Sequence, residues 1–167
     1  MKLVSVLPSR ISLIYAMDLE PIVFKLINNE HGESPSLEEV DDAVVKYRQF
    51  LELCMRYPNQ GIVPTNEIDM VWHAHILDTV KYREDCQVVF GQFIDHFPYL
   101  GMRSEEDEIN LINSFKETDR LFKKHFGKGL IDSATRCGNA CGNAKCKYIV
   151  SNRGMKELRP RLNRLAA

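Results

Sequence analysis

The sequence predicts an all-α fold: a small bundle of about four main helices, followed by an irregular basic tail that carries cysteines. Three observations lead to this prediction. Apolar residues recur at intervals of three and four over long stretches. The candidate helices begin and end at residues typical of helix caps. No series of alternating segments between residues 17 and 127 indicates a sheet of several strands.

The four helices follow one another along the chain. The first covers about residues 18–29, and the second, residues 36–56, begins with the Ser-x-x-Glu spacing of a capping box. The third begins at residue 66. The fourth, residues 104–125, has acidic residues in its first turn and basic residues in its last, as the helix dipole favours, and Gly127 ends it. The core face expected for the fourth helix comprises Ile109, Leu111, Ile112, Phe115, Leu121, Phe122 and Phe126.

Charge divides the chain into an acidic body and a basic end. Residues 1–127 carry 13 Lys and Arg against 21 Asp and Glu, a net charge of −8, whereas residues 128–167 carry 9 against 2, a net charge of +7. We therefore predict a helical domain over residues 17–127 and a basic tail over residues 128–167. Residues 1–16 are open to three interpretations: a short strand, an arm, or an extension upstream of the true start at Met17.

Composition and motifs exclude several functional classes. The chain has no apolar run of the roughly 20 residues that span a bilayer, and Pro8 interrupts an apolar start that superficially resembles a signal peptide. Five cysteines do not make a disulfide framework, so we expect a cytoplasmic protein with reduced thiols. A phosphate-binding loop, a nucleophile elbow and a zincin motif are all absent. Whether the chain is an enzyme stays open.

The densest concentration of reactive residue types is in residues 69–86, which contain the one tryptophan and two of the five histidines. In a strand, His73 and His75 would share one face and could chelate a metal ion together. In a helix, they diverge by about 200°. We favour one helix from Asn66 to about Val89, because no strand-like alternation continues beyond the histidines. The residues expected to surround a buried Trp72 in that helix are Ile68, Ile76 and Val80.

A helix requires a metal ligand from elsewhere, and His96 is the candidate. A site built from His96, one of the two helix histidines and a carboxylate would suit zinc, iron or copper. Two alternatives stay open: a structural polar network inside the bundle, and a metal-free catalytic pair. The candidate metal ligands are His73, His75, His96, Asp69, Asp78 and Asp85.

Distance along the chain limits which histidine His96 can approach. Residues 75–91 span about 24 Å in a straight helix, whereas residues 92–96 reach at most about 17 Å when extended. His96 can therefore approach the histidine pair only if the helix bends or ends early, near Cys86 or before. We predict that it does, and a ring-nitrogen separation above about 8 Å from both helix histidines would remove His96 from the site.

The central segment resembles the glycine-rich domain-containing-protein-like family. The shared strings are Asp69-x-x-Trp-His-x-His, Tyr82-x-x-Asp-Cys and Asp95-His96, preceded by Tyr47-x-x-Phe-Leu. The resemblance implies a mainly helical domain and names no catalytic role for the histidines. Longer plant members are linked to RNA binding through other segments. The extended glycine-rich tail of many members is absent here, so roles tied to it do not transfer.

The basic tail contains a second group of candidate residues. The stretch 137–146 contains the unit Cys-Gly-Asn-Ala as two tandem copies followed by Lys-Cys, and its thiols are Cys137, Cys141 and Cys146. Three interpretations stay open: a soft-metal site without a specified fourth ligand, a redox or modification site, and a set of incidental thiols. Residues 153–164 alternate basic and apolar positions, which suits a protein partner. We expect no nucleic-acid partner, because the tail offers no aromatic stacking platform. A non-enzymatic interaction module is therefore the alternative to a metal-binding protein.

Overall fold

The computed structural model describes residues 6–28, 34–130 and 147–150, and within them the fold is all-α, as predicted. The described residues form six helices and one short two-stranded ribbon. The helices are α1 (Val6–Ala16), α2 (Glu20–Ile27), α3 (Leu37–Arg56), α4 (Asn66–Leu77), α5 (Thr79–Phe90) and α6 (Glu105–Phe126). The strands are β1 (Ile94–Phe97) and β2 (Lys147–Val150), which pair antiparallel with Ile94 opposite Val150.

The two helices with the clearest sequence signals have the predicted caps. The Ser36 hydroxyl accepts from the backbone N–H of Glu39, and the Glu39 carboxylate accepts from the backbone N–H of Ser36, which completes the capping box of α3. At the other end of the domain, α6 ends at Gly127, whose φ of 76° is left-handed. Its expected core face is largely correct, but Ile109 is 57% exposed and lies on the outer side.

The third predicted helix is wrong as a single element. The chain breaks at Asp78, where ψ is 76°, and α5 begins immediately afterwards. The Asp78 carboxylate accepts from the backbone N–H of Lys81 and so caps α5. Trp72 is fully buried as expected, with Ile68 beside it in the core, whereas Val80 beyond the break is 55% exposed.

The start of the chain also differs from expectation. The structure has a helix over Val6–Ala16, rather than a short strand or a separate arm. Its residue Ile14 is fully buried in the main core. The Arg48 guanidinium donates to the backbone oxygens of Ile14 and Met17, which ties the end of α1 to α3. The first predicted helix is present but shorter, as α2.

The main core surrounds the centre of α3 and α4. Tyr47 and Phe50 from α3 contact one another, and Phe50 lies 5.2 Å from the Trp72 ring centroid. A smaller cluster fills the space under the start of α6, and its members are Val63, Phe97, Leu100, Leu111 and Phe115. The strand β1 joins the two clusters, because Ile94 belongs to the first and Phe97 to the second. His96, between them, is thereby fixed in place.

Candidate metal centre

Helix α4 places two candidate ligands on one face. Asp69 and His73 are four residues apart, the spacing at which helix side chains are neighbours. The His73 Nε2 atom lies 3.5 Å from Asp69 Oδ2. The helix therefore presents a carboxylate and an imidazole together.

The break at Asp78 and a turn at Gly91 bring His96 back to α4. Helix α5 leaves α4 at the break, and Gly91, with φ of 71°, ends α5 and reverses the chain into β1. His96 on β1 then lies with its Nε2 2.9 Å from His73 Nε2. The prediction that the helix ends early or bends, near Cys86 or before, so that His96 approaches a helix histidine is confirmed, with the break at residue 78.

The three donor atoms lie close enough to share one ion. His96 Nε2 is 3.2 Å from Asp69 Oδ1, and all three ligand atoms lie within 4.8 Å of one another. Two donors at about 2.05 Å from a zinc ion are about 3.3 Å apart in a tetrahedral arrangement. The two imidazole nitrogens are 2.9 Å apart, and the Asp69 carboxylate approaches His96 through Oδ1 at 3.2 Å and His73 through Oδ2 at 3.5 Å, so these separations lie on either side of that value. Among the described residues, this is the one group of three with such geometry.

The hydrogen bonds of this cluster depend on the tautomers of its two imidazoles, because each neutral ring nitrogen either carries a hydrogen or accepts one. If His96 Nε2 carries the hydrogen, it can donate to Asp69 Oδ1, 3.2 Å away, or to the lone pair of His73 Nε2, 2.9 Å away. A cation between the three atoms would bind all their lone pairs at once.

The cluster is accessible from one side. The His73 side chain is 52% exposed, that of Asp69 is 22% exposed and that of His96 is 11% exposed. Exposure on the His73 side leaves room for a water or another ligand beside the three protein donors. Three protein ligands with an open position are typical of reactive metal sites, whereas structural zinc sites use four.

A buried polar network supports His96 from behind. The Trp72 Nε1–H donates to the Tyr82 hydroxyl, 3.0 Å away, and that hydroxyl donates to the Ile94 backbone oxygen at 2.7 Å. The Trp72 ring also meets the His96 ring edge to face, with centroids 4.6 Å apart. Tyr82 thus connects α4, α5 and β1, and it fixes the strand that carries His96.

His75 lies on the other side of α4, in a separate buried network. Its Nε2 is 2.9 Å from Asp85 Oδ2, and its Nδ1 is 3.0 Å from the Tyr47 hydroxyl. An ionised Asp85 carboxylate can only accept a hydrogen bond, so His75 Nε2 carries the hydrogen and Nδ1 accepts the hydrogen bond of the Tyr47 hydroxyl. Burial lowers the pKa of His75, which favours this neutral form. Lys81 completes the network with an ion pair to Asp85 at 3.0 Å.

The structure therefore divides the candidate residues. It brings Asp69, His73 and His96 together, and it places His75 and Asp85 in the buried network. Asp78 caps α5 instead of joining either group. Burial favours the structural interpretation of His75, because a side chain that is 2% exposed offers no route for a substrate.

Predictions about the tail lie outside the described residues. This holds for Cys137, Cys141 and Cys146 and for the basic segment 153–164. The thiol site and the interaction module acting through a protein partner stay predictions. Among the described residues, no helix combines the length and the apolar character needed to cross a membrane.

Sequence reasoning missed two contributions to the site region. Tyr47, the partner of His75, is 28 residues away in the chain, and no local pattern connects them. Tyr82 lies beside His75, with ring centroids 5.0 Å apart. The hydrogen bonds by which its hydroxyl connects Trp72 to β1 depend on where the chain places β1 after the turn at Gly91. A signal for the break was present, since an aspartate before Thr79 is a favourable helix N-cap.

Comparison with known proteins supports the resemblance seen in the sequence. Two curated relatives from Arabidopsis thaliana match: glycine-rich domain-containing protein 2 is 25% identical over 120 residues, and glycine-rich domain-containing protein 1 is 23% identical over 123 residues. These regions cover 70% and 71% of this chain but only 15% and 14% of the relatives, so the chain spans about one seventh of their length. No solved structure matches the chain.

A family profile covers the same region and includes every element of the candidate metal centre. The profile described as UCP032817-like matches residues 9–120, which extends from α1 into α6. This match and the two plant relatives confirm the resemblance to glycine-rich domain-containing proteins. The chain belongs to the UCP032817-like family.

Proposed function

We propose that this protein binds one divalent transition-metal ion through Asp69, His73 and His96, and that the ion keeps a coordination position open to an external ligand. The donor set is two imidazoles and one carboxylate. Such a set suits zinc and, with open positions, non-haem iron(II), and imidazole also suits copper.

The observation that carries the proposal is the convergence of three donor atoms from two separate elements. Helix spacing alone accounts for Asp69 and His73 being neighbours. It does not account for His96, which the break at Asp78, the turn at Gly91 and the Tyr82 bridge bring to within 2.9 Å of His73. A polar contact at the surface would not need this support.

The electrostatics of the cluster point the same way. Two imidazoles and one carboxylate carry a net charge of −1 when both rings are neutral, so a divalent ion leaves a total of +1. A moderate positive charge at a half-exposed position is compatible with solvent. An ion at His75 Nε2 would displace the buried hydrogen bond to Asp85 and reverse the direction of the hydrogen bond with Tyr47.

Metal analysis of protein purified without a polyhistidine tag tests the proposal. The protein is stripped with chelator, equilibrated with zinc(II), iron(II) or copper(II) in turn, and dialysed before measurement. We expect one equivalent of at least one of these ions. His73→Ala, His96→Ala and Asp69→Asn should each weaken binding by more than about 100-fold, because second-shell changes alone cost 10 to 100-fold.

His125→Ala is the matched control. It removes a half-exposed histidine from α6, where the ring contacts Tyr57 and lies outside the cluster. Metal content should be unchanged in this variant. Substoichiometric uptake of all three ions by the wild type, or equal uptake by His96→Ala and His125→Ala, would show that the cluster is an ordinary polar contact.

A further inference from the structure

The candidate metal centre forms one wall of an apolar pocket. The pocket holds about 500 Å³, and His73 and His96 both line it. The remaining wall is mostly apolar and includes Ile76, Leu77, Phe93 and Pro98. A concave apolar site with few polar groups is typical of small-molecule binding, and its volume lies within the usual range for such ligands.

We infer that this pocket binds a small organic monoanion, in which a carboxylate completes the coordination of the metal ion and an apolar body lies against Leu77 and Phe93. The inference rests on the proposed function, since the carboxylate needs the ion as its partner. It goes further in assigning the ligand's chemical class and the surface that selects it.

The charge arrangement selects the anionic end. An ion held by one carboxylate and two neutral imidazoles has a net charge of +1, so an oxygen anion neutralises it. Asp95 also lines the pocket and is half-buried there. Asp95 is not one of the three donors, and its carboxylate would repel a second negative charge on the ligand. The pocket therefore favours a monoanion over a dianion.

The apolar end is selected by side chains that are exposed in the ligand-free protein. Leu77 is 78% exposed and Phe93 is 47% exposed. Leu77 is the last residue of α4, and the Phe93 ring lies against Tyr82 with centroids 5.2 Å apart. A ligand that covers them gains free energy from the apolar area removed from water.

Ligand binding to cobalt(II)-loaded protein tests this assignment, because the visible spectrum of cobalt(II) reports directly on its ligands. The probes are phenylacetate, acetate, the neutral 2-phenylethanol and the dianion 4-carboxyphenylacetate, whose two carboxylates are too far apart to chelate one ion. We expect phenylacetate to change the spectrum and to bind at least about tenfold more tightly than acetate, because of the buried ring. The alcohol and the dianion should bind more weakly than phenylacetate.

Leu77→Asp separates the pocket from the metal site. Since Leu77 is exposed, the substitution should leave folding and cobalt(II) stoichiometry intact while weakening phenylacetate binding at least about tenfold. Ile109→Asp on α6, also at an exposed apolar position, is the control and should change neither. Phe93→Ala is a second pocket variant and should lower the preference for phenylacetate over acetate.

The outcomes distinguish the two proposals. If the protein takes up no cobalt(II), zinc(II), iron(II) or copper(II), the proposed function fails and this inference fails with it. If it binds a metal but phenylacetate binds no more tightly than acetate, the metal site stands and the pocket assignment is overturned. Equal phenylacetate binding by metal-free and cobalt(II)-loaded protein would also overturn it.

Discussion

His73 and His75 are separated by one residue on α4, yet they lie in opposite environments. The His73 side chain is 52% exposed and meets a second histidine and a carboxylate at the rim of a pocket. The His75 side chain is 2% exposed and bridges a tyrosine and a carboxylate inside the bundle. Each histidine has a carboxylate near its Nε2, so the residue types alone do not distinguish them.

Access to solvent is the main difference between the two groups, and it determines what each can do. His75 has both ring nitrogens engaged by Asp85 and Tyr47, so its network is complete and orders α3, α4 and α5. The donors around His73 face one another and stay reachable from outside. Removing His75 should therefore affect stability, whereas removing His73 should affect binding.

The largest expected effect is on the stability of a His75→Ala variant. The substitution leaves a cavity and deprives the Tyr47 hydroxyl and the Asp85 carboxylate of a partner, which should lower the free energy of unfolding by about 3 kcal/mol. His73→Ala should change it by no more than about 0.5 kcal/mol. Urea denaturation in the presence of chelator measures both values.

His75→Gln provides a check if the alanine variant does not fold. It keeps a polar side chain in the same space and should lose less stability than His75→Ala. Similar stability losses in the His73 and His75 variants would contradict the distinction between the two groups.

The second prediction concerns stabilisation by metal. If the ion binds the folded protein alone, an ion concentration of about 100 times Kd raises the free energy of unfolding by about 2.7 kcal/mol. This increase should persist in His75→Gln, despite its lower starting stability, and should vanish in His73→Ala. Thermal denaturation with and without zinc(II) measures it. An equal increase in both variants would place the ion elsewhere.

The third prediction concerns Tyr82, which we regard as a positioning residue for His96. Tyr82→Phe removes the hydroxyl between Trp72 and the Ile94 backbone oxygen, so β1 loses an anchor. The free energy of unfolding should fall by about 1–2 kcal/mol, and the metal should bind about tenfold more weakly. Tyr57→Phe makes the same chemical change at the α3–α6 contact and should leave metal affinity unchanged. Unchanged affinity in Tyr82→Phe as well would show that β1 needs no such anchor.

Much of the fold could be predicted, because its signals are local. The capping box of α3 and the acidic start and glycine end of α6 depend on residues within one turn of each helix end. The break at Asp78 has a local signal too, but apolar residues continue across it at Ile76, Leu77 and Val80, and they concealed it. Leu77 and Val80 are exposed, so their spacing does not report a core face.

The site was only partly predictable, because it depends on how the chain after Gly91 places β1 against α4. The sequence identifies His73, His96 and Asp69 as chemically suitable, and the length argument shows that a bend is required. It does not choose between His73 and His75 as the partner of His96, because that choice depends on which side of α4 faces β1. The core decides this, since Trp72 and His75 are buried and His73 is left outside.

The smallest expected effect is the pH dependence of stability contributed by His75. Burial lowers the pKa of the folded-state imidazole below its ordinary value of 6.5, with Asp85 opposing this in part. Below that value the unfolded chain therefore binds a proton more readily than the folded protein does. This contribution to stability should be present above about pH 6.5 and decrease as the pH falls towards the folded-state pKa, by no more than about 1.4 kcal/mol between pH 7.5 and 5.5.

Urea denaturation at the two pH values, with chelator present, measures this difference in the wild type and in His75→Gln. The variant should lose the contribution, so its stability should change less with pH. Burial also lowers the pKa of His125, which acts in the same direction. His125→Gln should nevertheless remove less of the pH dependence, because its half-exposed ring is more easily solvated when protonated. If the His75 and His125 variants both kept the wild-type pH dependence, the neutral, buried state assigned to His75 would be wrong.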